Sequence, residues 1–261
     1  MTFEKIRLEF THHERVAHIT LASPKANILD RLMICELDAA VSLCAGRVLN
    51  AIVFAADGPH FSFGASVQEH LPDQIAGTLQ ALHTLLRGIY KAPAPVIAAV
   101  RGQCLGGGFE LVLACDLIVA DKTAQFASPE IKLAVFAPAA SVLLPARVGQ
   151  TVSSRLLLTG TAISAGEAAR CGLVTKVVDD LDAELNQCLE ADFLPRSPSS
   201  LKFACRAARL ALRRAFEEDL AQLEQLYTCD LMATPDAVEG IRAFLEKRSP
   251  QWSTPAVLAQ G

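Results

Sequence analysis

The stretch from Pro95 to Glu130, PVIAAVRGQCLGGGFELVLACDLIVADKTAQFASPE, constrains the fold more than any other part of this chain. A β-branched run, Val96-Ile97-Ala98-Ala99-Val100, leads through Gly106-Gly107-Gly108 into an almost wholly apolar helix, and a second apolar strand then reaches Ser128-Pro129-Glu130. Segments this apolar belong inside a layered core. Two carboxylates stand in them, Glu110 just after the glycines and Glu130 just after Pro129. An ionised carboxylate in apolar surroundings is costly unless it is paired, hydrogen-bonded or protonated, so both are candidates for chemistry.

The rest of the chain alternates strand and helix around that stretch. Residues 3–22 alternate as two strands joined by a turn at His12-His13-Glu14-Arg15, where adjacent histidines point to opposite faces and read as solvated turn residues. Ser23-Pro24-Lys25-Ala26-Asn27 breaks the second strand. Helical spacing resumes from Asp30, which is placed to cap a helix carrying Leu32, Met33, Leu37, Ala40, Val41 and Cys44. Val48 to Ala56 reads as a buried strand closed by Asp57-Gly58-Pro59, and a small-residue loop, His60 to Ser66, follows. A helix is expected over about 78–91, with His70 and His83 as satisfied histidines.

After Glu130 the chain is nearly charge-free to Leu144, with Pro138 and Pro145 as interruptions, and a helix suits Ser153 to Leu158. Ser164 and Glu167 form a capping box closed by Gly172, ahead of a last strand, Val174 to Val178. From Ser197 the pattern is helical only: one amphipathic helix over 199–227, and a shorter one opened by Thr234-Pro235. The expected class is α/β with at least partly parallel pairing, divided into a core domain, 1–195, and a C-terminal helical region, 196–261. Pattern alone leaves open whether that region packs on its own domain or makes an oligomer interface.

Composition excludes several functions. The 261 residues are 51% hydrophobic with a formal charge of -4, and no Lys/Arg cluster marks a nucleic-acid or anionic-membrane surface. Eight scattered cysteines with no C-x-x-C pair argue for reduced core thiols in a cytoplasmic protein and against a metal knuckle. The N-terminus has no signal-peptide apolar region, and no membrane span is expected. The glycine triplet fits neither G-x-G-x-x-G nor a P-loop, which disfavours a dinucleotide enzyme. Exposed N–H groups at a glycine-rich helix start suit an oxyanion hole instead, and a single donor from Gly107 needs a second.

Four motifs, in order, resemble the crotonase (enoyl-CoA hydratase/isomerase) superfamily: FSFGASVQEH, PVIAAVRGQCLGGGFELVLACDLIVADKTAQFASPEIKL, TGTAISAGEAARCGLVTKVV and EGIRAFLEKR. The resemblance implies a spiral of ββα repeats with a C-terminal helical trimerisation region, a homotrimer or a homohexamer made as a dimer of trimers, and an acyl-CoA thioester substrate. It implies no metal and no cofactor beyond the CoA of the substrate. It places the oxyanion donors at Ala65 and Gly107, the catalytic acids at Glu110 and Glu130, and CoA contacts at Lys25, Ala26, Phe244 and Lys247. Two carboxyl groups in unlike states can activate water and deliver a proton to carbon, but the sequence leaves open which is base and which is acid.

Two departures from the family pattern reshape the substrate expectation: Ser66 stands where Asp is common, and Ala137-Pro138-Ala139-Ala140-Ser141 replaces a glycine-rich loop, stiffening and filling it. With FSFGASVQEHLP and SPEIKLAVFAPAAS, the chain is similar to the members of that family that hydrate a cyclic conjugated dienoyl-CoA in anaerobic benzoyl-CoA degradation. The implied reaction takes cyclohexa-1,5-diene-1-carbonyl-CoA to 6-hydroxycyclohex-1-ene-1-carbonyl-CoA, in a pocket walled by Val135, Phe136, Pro138, Val142 and Leu143. The alternatives are a straight-chain enoyl-CoA hydratase, an enoyl-CoA isomerase and a non-catalytic acyl-CoA-binding homologue.

Overall fold

The computed structural model describes residues 2–23 and 25–253; the expected break at Pro24 and the last eight residues of the C-terminal region lie outside them. β1 (Ile6–Thr11) and β2 (Val16–Leu21) form the expected hairpin, antiparallel with Thr11 opposite Val16. His12, His13 and Glu14 all take positive φ in its turn. α1 (Arg31–Ala45) starts at Asp30, whose side chain accepts the Met33 N–H at 3.0 Å. β3 (Ala51–Ala56) begins three residues later than expected, because Val48 is exposed. A 3-10 turn over Val67–His70 then leads into α2 (Ile75–Lys91).

β4 (Val96–Val100) is followed by a short strand, β5 (Gln103–Leu105), and by α3 (Gly106–Leu113). The next pair, β6 (Leu117–Asp121) and β7 (Gln125–Ala127), leads to a 3-10 turn over Pro129–Leu133 and then to α4 (Pro138–Thr159). The prolines of α4 are not the interruptions expected: Pro138 opens the helix, Pro145 is carried inside it, and the break comes at Gly149 (φ 75°, ψ 162°). Pro suits a first helical turn because the N–H it lacks has no intrahelical partner there. β8 (Ile163–Ser164), α5 (Ala165–Arg170) with its capping box, β9 (Lys176–Val178) and α6 (Leu181–Cys188) complete the core.

Two sheets result. The larger runs β1-β2-β3-β4-β6-β9, parallel from β2 onward, and the smaller runs β5-β7-β8. Chain from two inner strands of the large sheet crosses to the small one before entering a helix: β4 to β5 to α3, and β6 to β7 to α4. Ser62 repeats the crossing after β3 by bridging to Cys104. This is a spiral of ββα units, and it brings the loop before α2 against the start of α3.

The C-terminal region is helical as expected but divided differently. The helix read over 199–227 is two, α7 (Pro198–Ala208) and α8 (Leu210–Gln225), with a π-helical turn at Leu226–Asp230. The junction is Arg209, whose buried guanidinium donates to the carbonyls of Ala92 and Ala94, each at 2.7 Å, and to the carboxylate of Asp116. A buried cation demands such partners, and meeting them outweighs continuing one straight helix. α9 (Pro235–Leu245) is capped by Thr234. Phe216 and Leu220 of α8 belong to the same hydrophobic core as β4 and α3, so this region folds back onto its own chain.

Candidate active site

Ala65, Gly107, Glu110 and Glu130 converge on one cavity of about 860 Å³. Backbone pairing sets its floor. The Ser62 N–H donates to Gln103 O and the Leu105 N–H to Ser62 O, both at 2.9 Å, which lays the 62–66 loop along β5. On either side of Ala65 the N–H groups are already used, that of Gly64 on Ser62 Oγ at 3.0 Å and that of Ser66 on Leu29 O at 3.3 Å. A Cβ built on Gly107 would stand 3.3 Å from the Ala65 nitrogen. Gly107 lies in the first turn of α3, where N–H groups have no partner within the helix. Two backbone donors thus face one small space, the geometry that binds an oxygen gaining negative charge.

Glycine is required at two neighbouring positions. Gly106 has φ +50°, and a Cβ there would come within 2.6 Å of Glu130 Oε1; Gly64 has φ +98°, and its Cβ would press on the Leu105 carbonyl at 2.9 Å. Both the left-handed backbone and the close approach exclude a side chain.

The two acids sit in different surroundings. Glu110 is buried on α3, and its Oε1 accepts the Ala140 N–H at 2.9 Å. The segment Ala137–Ser141, read from sequence as a stiffened loop, is therefore the first turn of α4, with its N–H groups and positive dipole end turned to a carboxylate. Burial, the largest influence, raises the Glu110 carboxyl above its ordinary value, against the smaller downward pulls of His83 and the Ala140 and Ala139 N–H groups. His83 is fully buried behind the site, its Nδ1 2.5 Å from Glu224. Glu130 rests on the 3-10 turn, and its Oε2 is buried with no hydrogen-bond partner. Burial, and next the charge of Glu110, push its carboxyl up to about 8. Both acids are raised by burial; the α4 N–H groups oppose this at Glu110, and the neighbouring charge of Glu110 adds to it at Glu130.

The expected pocket wall is partly displaced. Phe136 and Pro138 line the cavity, whereas Val135, Val142 and Leu143 are packed in the core behind it. Val135 faces inward with Ile241 and Tyr227 in a small cluster of its own, and Val142 and Leu143 turn toward the main core from α4. Pro138 opens α4 at the cavity wall, and Val142 and Leu143 lie a turn further along that helix, an advance that a loop reading of this segment does not show. Of the expected CoA contacts, Ala26 and Phe244 line the cavity. Lys25 instead borders a separate hollow of about 250 Å³ with Asn27, Asp57 and His60, and Lys247, exposed past the end of α9, is not on the cavity wall.

Sequence reading gave no site role to two polar side chains that do line the cavity. His70 holds the Ser66 carbonyl at 2.8 Å through Nδ1, and burial lowers its pKa so that the imidazole is neutral. Tyr227 projects from the π-helical turn with its ring 5.2 Å from that of Phe136. The sequence signal for Tyr227 was only an apolar stripe running to its end, and periodicity does not separate a core position from a cavity wall.

The comparisons with known proteins identify the family. Residues 11–255 match the family described as enoyl-CoA hydratase/isomerase. Cyclohexa-1,5-dienecarbonyl-CoA hydratase of Thauera aromatica is 47% identical over 90% of this chain and 91% of its own. The 2,3-dehydroadipyl-CoA hydratase of Escherichia coli K12 is 35% identical over 93% of this chain and 96% of its own. A crystal structure of an enoyl-CoA hydratase from Mycobacterium avium superposes with a TM-score of 0.86 at 30% identity, covering 97% of this chain and all of that one. With two backbone donors and two carboxyls on one apolar cavity of a ββα spiral, the chain belongs to the crotonase, or enoyl-CoA hydratase/isomerase, family and is a hydro-lyase of that type.

Proposed function

We propose that this hydratase adds water to a cyclic conjugated dienoyl-CoA, converting cyclohexa-1,5-diene-1-carbonyl-CoA to 6-hydroxycyclohex-1-ene-1-carbonyl-CoA. The observation that carries the reading is the pairing of two unlike carboxyls on a cavity whose acyl end is walled by the Phe136 and Tyr227 rings. Aromatic faces suit a flat ring. The name of the Thauera aromatica relative points the same way.

In this scheme the thioester oxygen lies between the N–H groups of Ala65 and Gly107. Glu110, whose Oε1 accepts the Ala140 N–H of α4, takes a proton from water as the water oxygen bonds to the diene carbon β to the thioester. The displaced electron pair moves to the thioester oxygen, where the two donors stabilise the dienolate; losing one such donor typically costs about 3–4 kcal/mol. Glu130, holding its proton at neutral pH, delivers it to the far diene carbon. The remaining double bond settles next to the thioester, still conjugated. No cofactor enters the scheme, since CoA arrives as part of the substrate.

We place the enzyme in the cytoplasm as a trimer or a dimer of trimers. Its eight cysteines are all free thiols, and exposed Phe203, Leu210 and Leu226 on the C-terminal helices offer apolar surface for assembly. No helix among the described residues is long and apolar enough to cross a membrane.

Hydration in D2O tests the reaction. Deuterium at the ring carbon remote from the new hydroxyl, in a product that keeps its conjugated thioester, is the expected result. Deuterium on the carbon bearing the thioester would overturn the 1,4-addition, and turnover of linear enoyl-CoA alone would assign the enzyme to straight chains.

A further inference from the structure

Six buried side-chain polar atoms among the described residues have no hydrogen-bond partner: His83 Nε2, Tyr90 OH, Ser128 Oγ, Glu130 Oε2, Ser153 Oγ and Tyr227 OH. Only Glu130 and Tyr227 of these residues lie on the cavity wall, while the other four are sealed away from it. Leaving a buried polar group unpaired is unfavourable, and a phenol that must bury only its ring is more stable as phenylalanine. The Tyr227 ring is fixed by its tilted packing on Phe136, in a cluster with Val135, Met232 and Ile241. It leaves the chain at a π-helical turn, a local departure that often re-aims a side chain at a working site.

We infer that Tyr227 is a third catalytic residue, donating its O–H to the water-derived oxygen: the attacking water in hydration and the leaving hydroxyl in the reverse direction. The Tyr227 hydroxyl and Glu130 Oε2 are both unpartnered on the wall that also carries Glu110, and the charges of both acids reach the phenol, so one water-derived oxygen held among the three would satisfy both. The phenol keeps its proton throughout; the proton that leaves water goes to Glu110, and the proton that reaches carbon comes from Glu130. Burial first, then the charges of Glu130 and Glu110, hold the phenol well above its ordinary range, so at working pH it is a donor. Its task is to fix the oxygen against the diene carbon and to stabilise it as it departs in dehydration.

The inference rests on the hydratase reading but not on the identity of the acyl group. Tyr227→Phe keeps the ring and removes only the donor. Measured on whichever thioester of a cyclic and linear panel the unmodified enzyme hydrates fastest, its kcat is expected to fall about 10- to 100-fold, the loss of one hydrogen bond to a reacting oxygen. KM should stay nearly constant, and the thermal midpoint of the ligand-free protein should hold or rise. An unchanged kcat would overturn the inference, as would a lowered midpoint accompanied by a proportionate loss of active protein, because that pattern belongs to a packing role. Faster wild-type turnover of a linear substrate would overturn only the cyclic assignment, and the Tyr227→Phe comparison on that substrate would still decide this one.

Discussion

The two ends of the catalytic cavity are held by different forces. At the end that carries Ala65 and Gly107, where the proposal seats the thioester, the 62–66 loop and the 103–107 segment are joined by backbone hydrogen bonds, and Leu29 N–H adds another to Gly64 O at 2.9 Å. At the end that the proposal gives to the acyl group, Leu133, Phe136, Tyr227 and Leu245 meet through side-chain packing. Backbone pairing fixes donors to within the tolerance of a hydrogen bond, whereas packing fixes a volume that several apolar side chains can fill. The first end is therefore suited to stabilising charge and the second to sorting acyl groups.

That contrast can be broken first at the acids. Glu110→Gln or Glu130→Gln is expected to lower kcat by about 10³-fold with little change in KM, since each removes a proton carrier and leaves the volume intact. A steady-state assay in which either variant keeps a rate within tenfold of wild type would remove the paired-acid mechanism. Next in size is Gly107→Ala, whose methyl would sit 3.3 Å from the Ala65 nitrogen and narrow the space between the two donors. A loss of about 10²-fold in kcat is expected on every acyl-CoA alike, because all share the thioester.

At the other end the expected effects are smaller and selective. Phe136→Ala should lower the ratio of cyclic to linear kcat/KM by about tenfold, the scale on which an apolar pocket discriminates. Competition between the two thioesters reads that ratio directly, and an equal loss on both would erase the division of labour between the two ends. The remaining effect is on stability. Glu130, raised from 4.5 to about 8 in the folded chain, contributes fully as a neutral group below its ordinary value, and that contribution fades as pH climbs through 8. Denaturation midpoints at pH 5 and pH 9 should show Glu130→Gln gaining on wild type at the higher pH; a constant gap would mean that Glu130 is not held protonated.

The legibility of the chain follows the same division. The hairpin, the capping of α1 by Asp30, the capping box at Ser164 and Glu167 and the strand-glycine-helix passage were all readable, because each depends on residues close in sequence. The break at Arg209 was not: it answers to Asp116 and to carbonyls more than ninety residues away. Nor was the start of α4 at Pro138, where a helix terminus serves Glu110. Glu110, Glu130, Ala65 and Gly107 were named from motifs and stand together in the fold. Tyr227 was invisible, and Val135, Val142 and Leu143 were misplaced as wall residues, because facing a cavity or a core depends on the whole packing arrangement and leaves the same apolar spacing in the sequence.

The most direct measurement is the ratio of kcat/KM for cyclohexa-1,5-diene-1-carbonyl-CoA to that for crotonyl-CoA, taken with the same purified enzyme. An aromatic-walled acyl end joined to a paired-acid site predicts a ratio well above one. A ratio below one would contradict the ring assignment and make this a straight-chain hydratase.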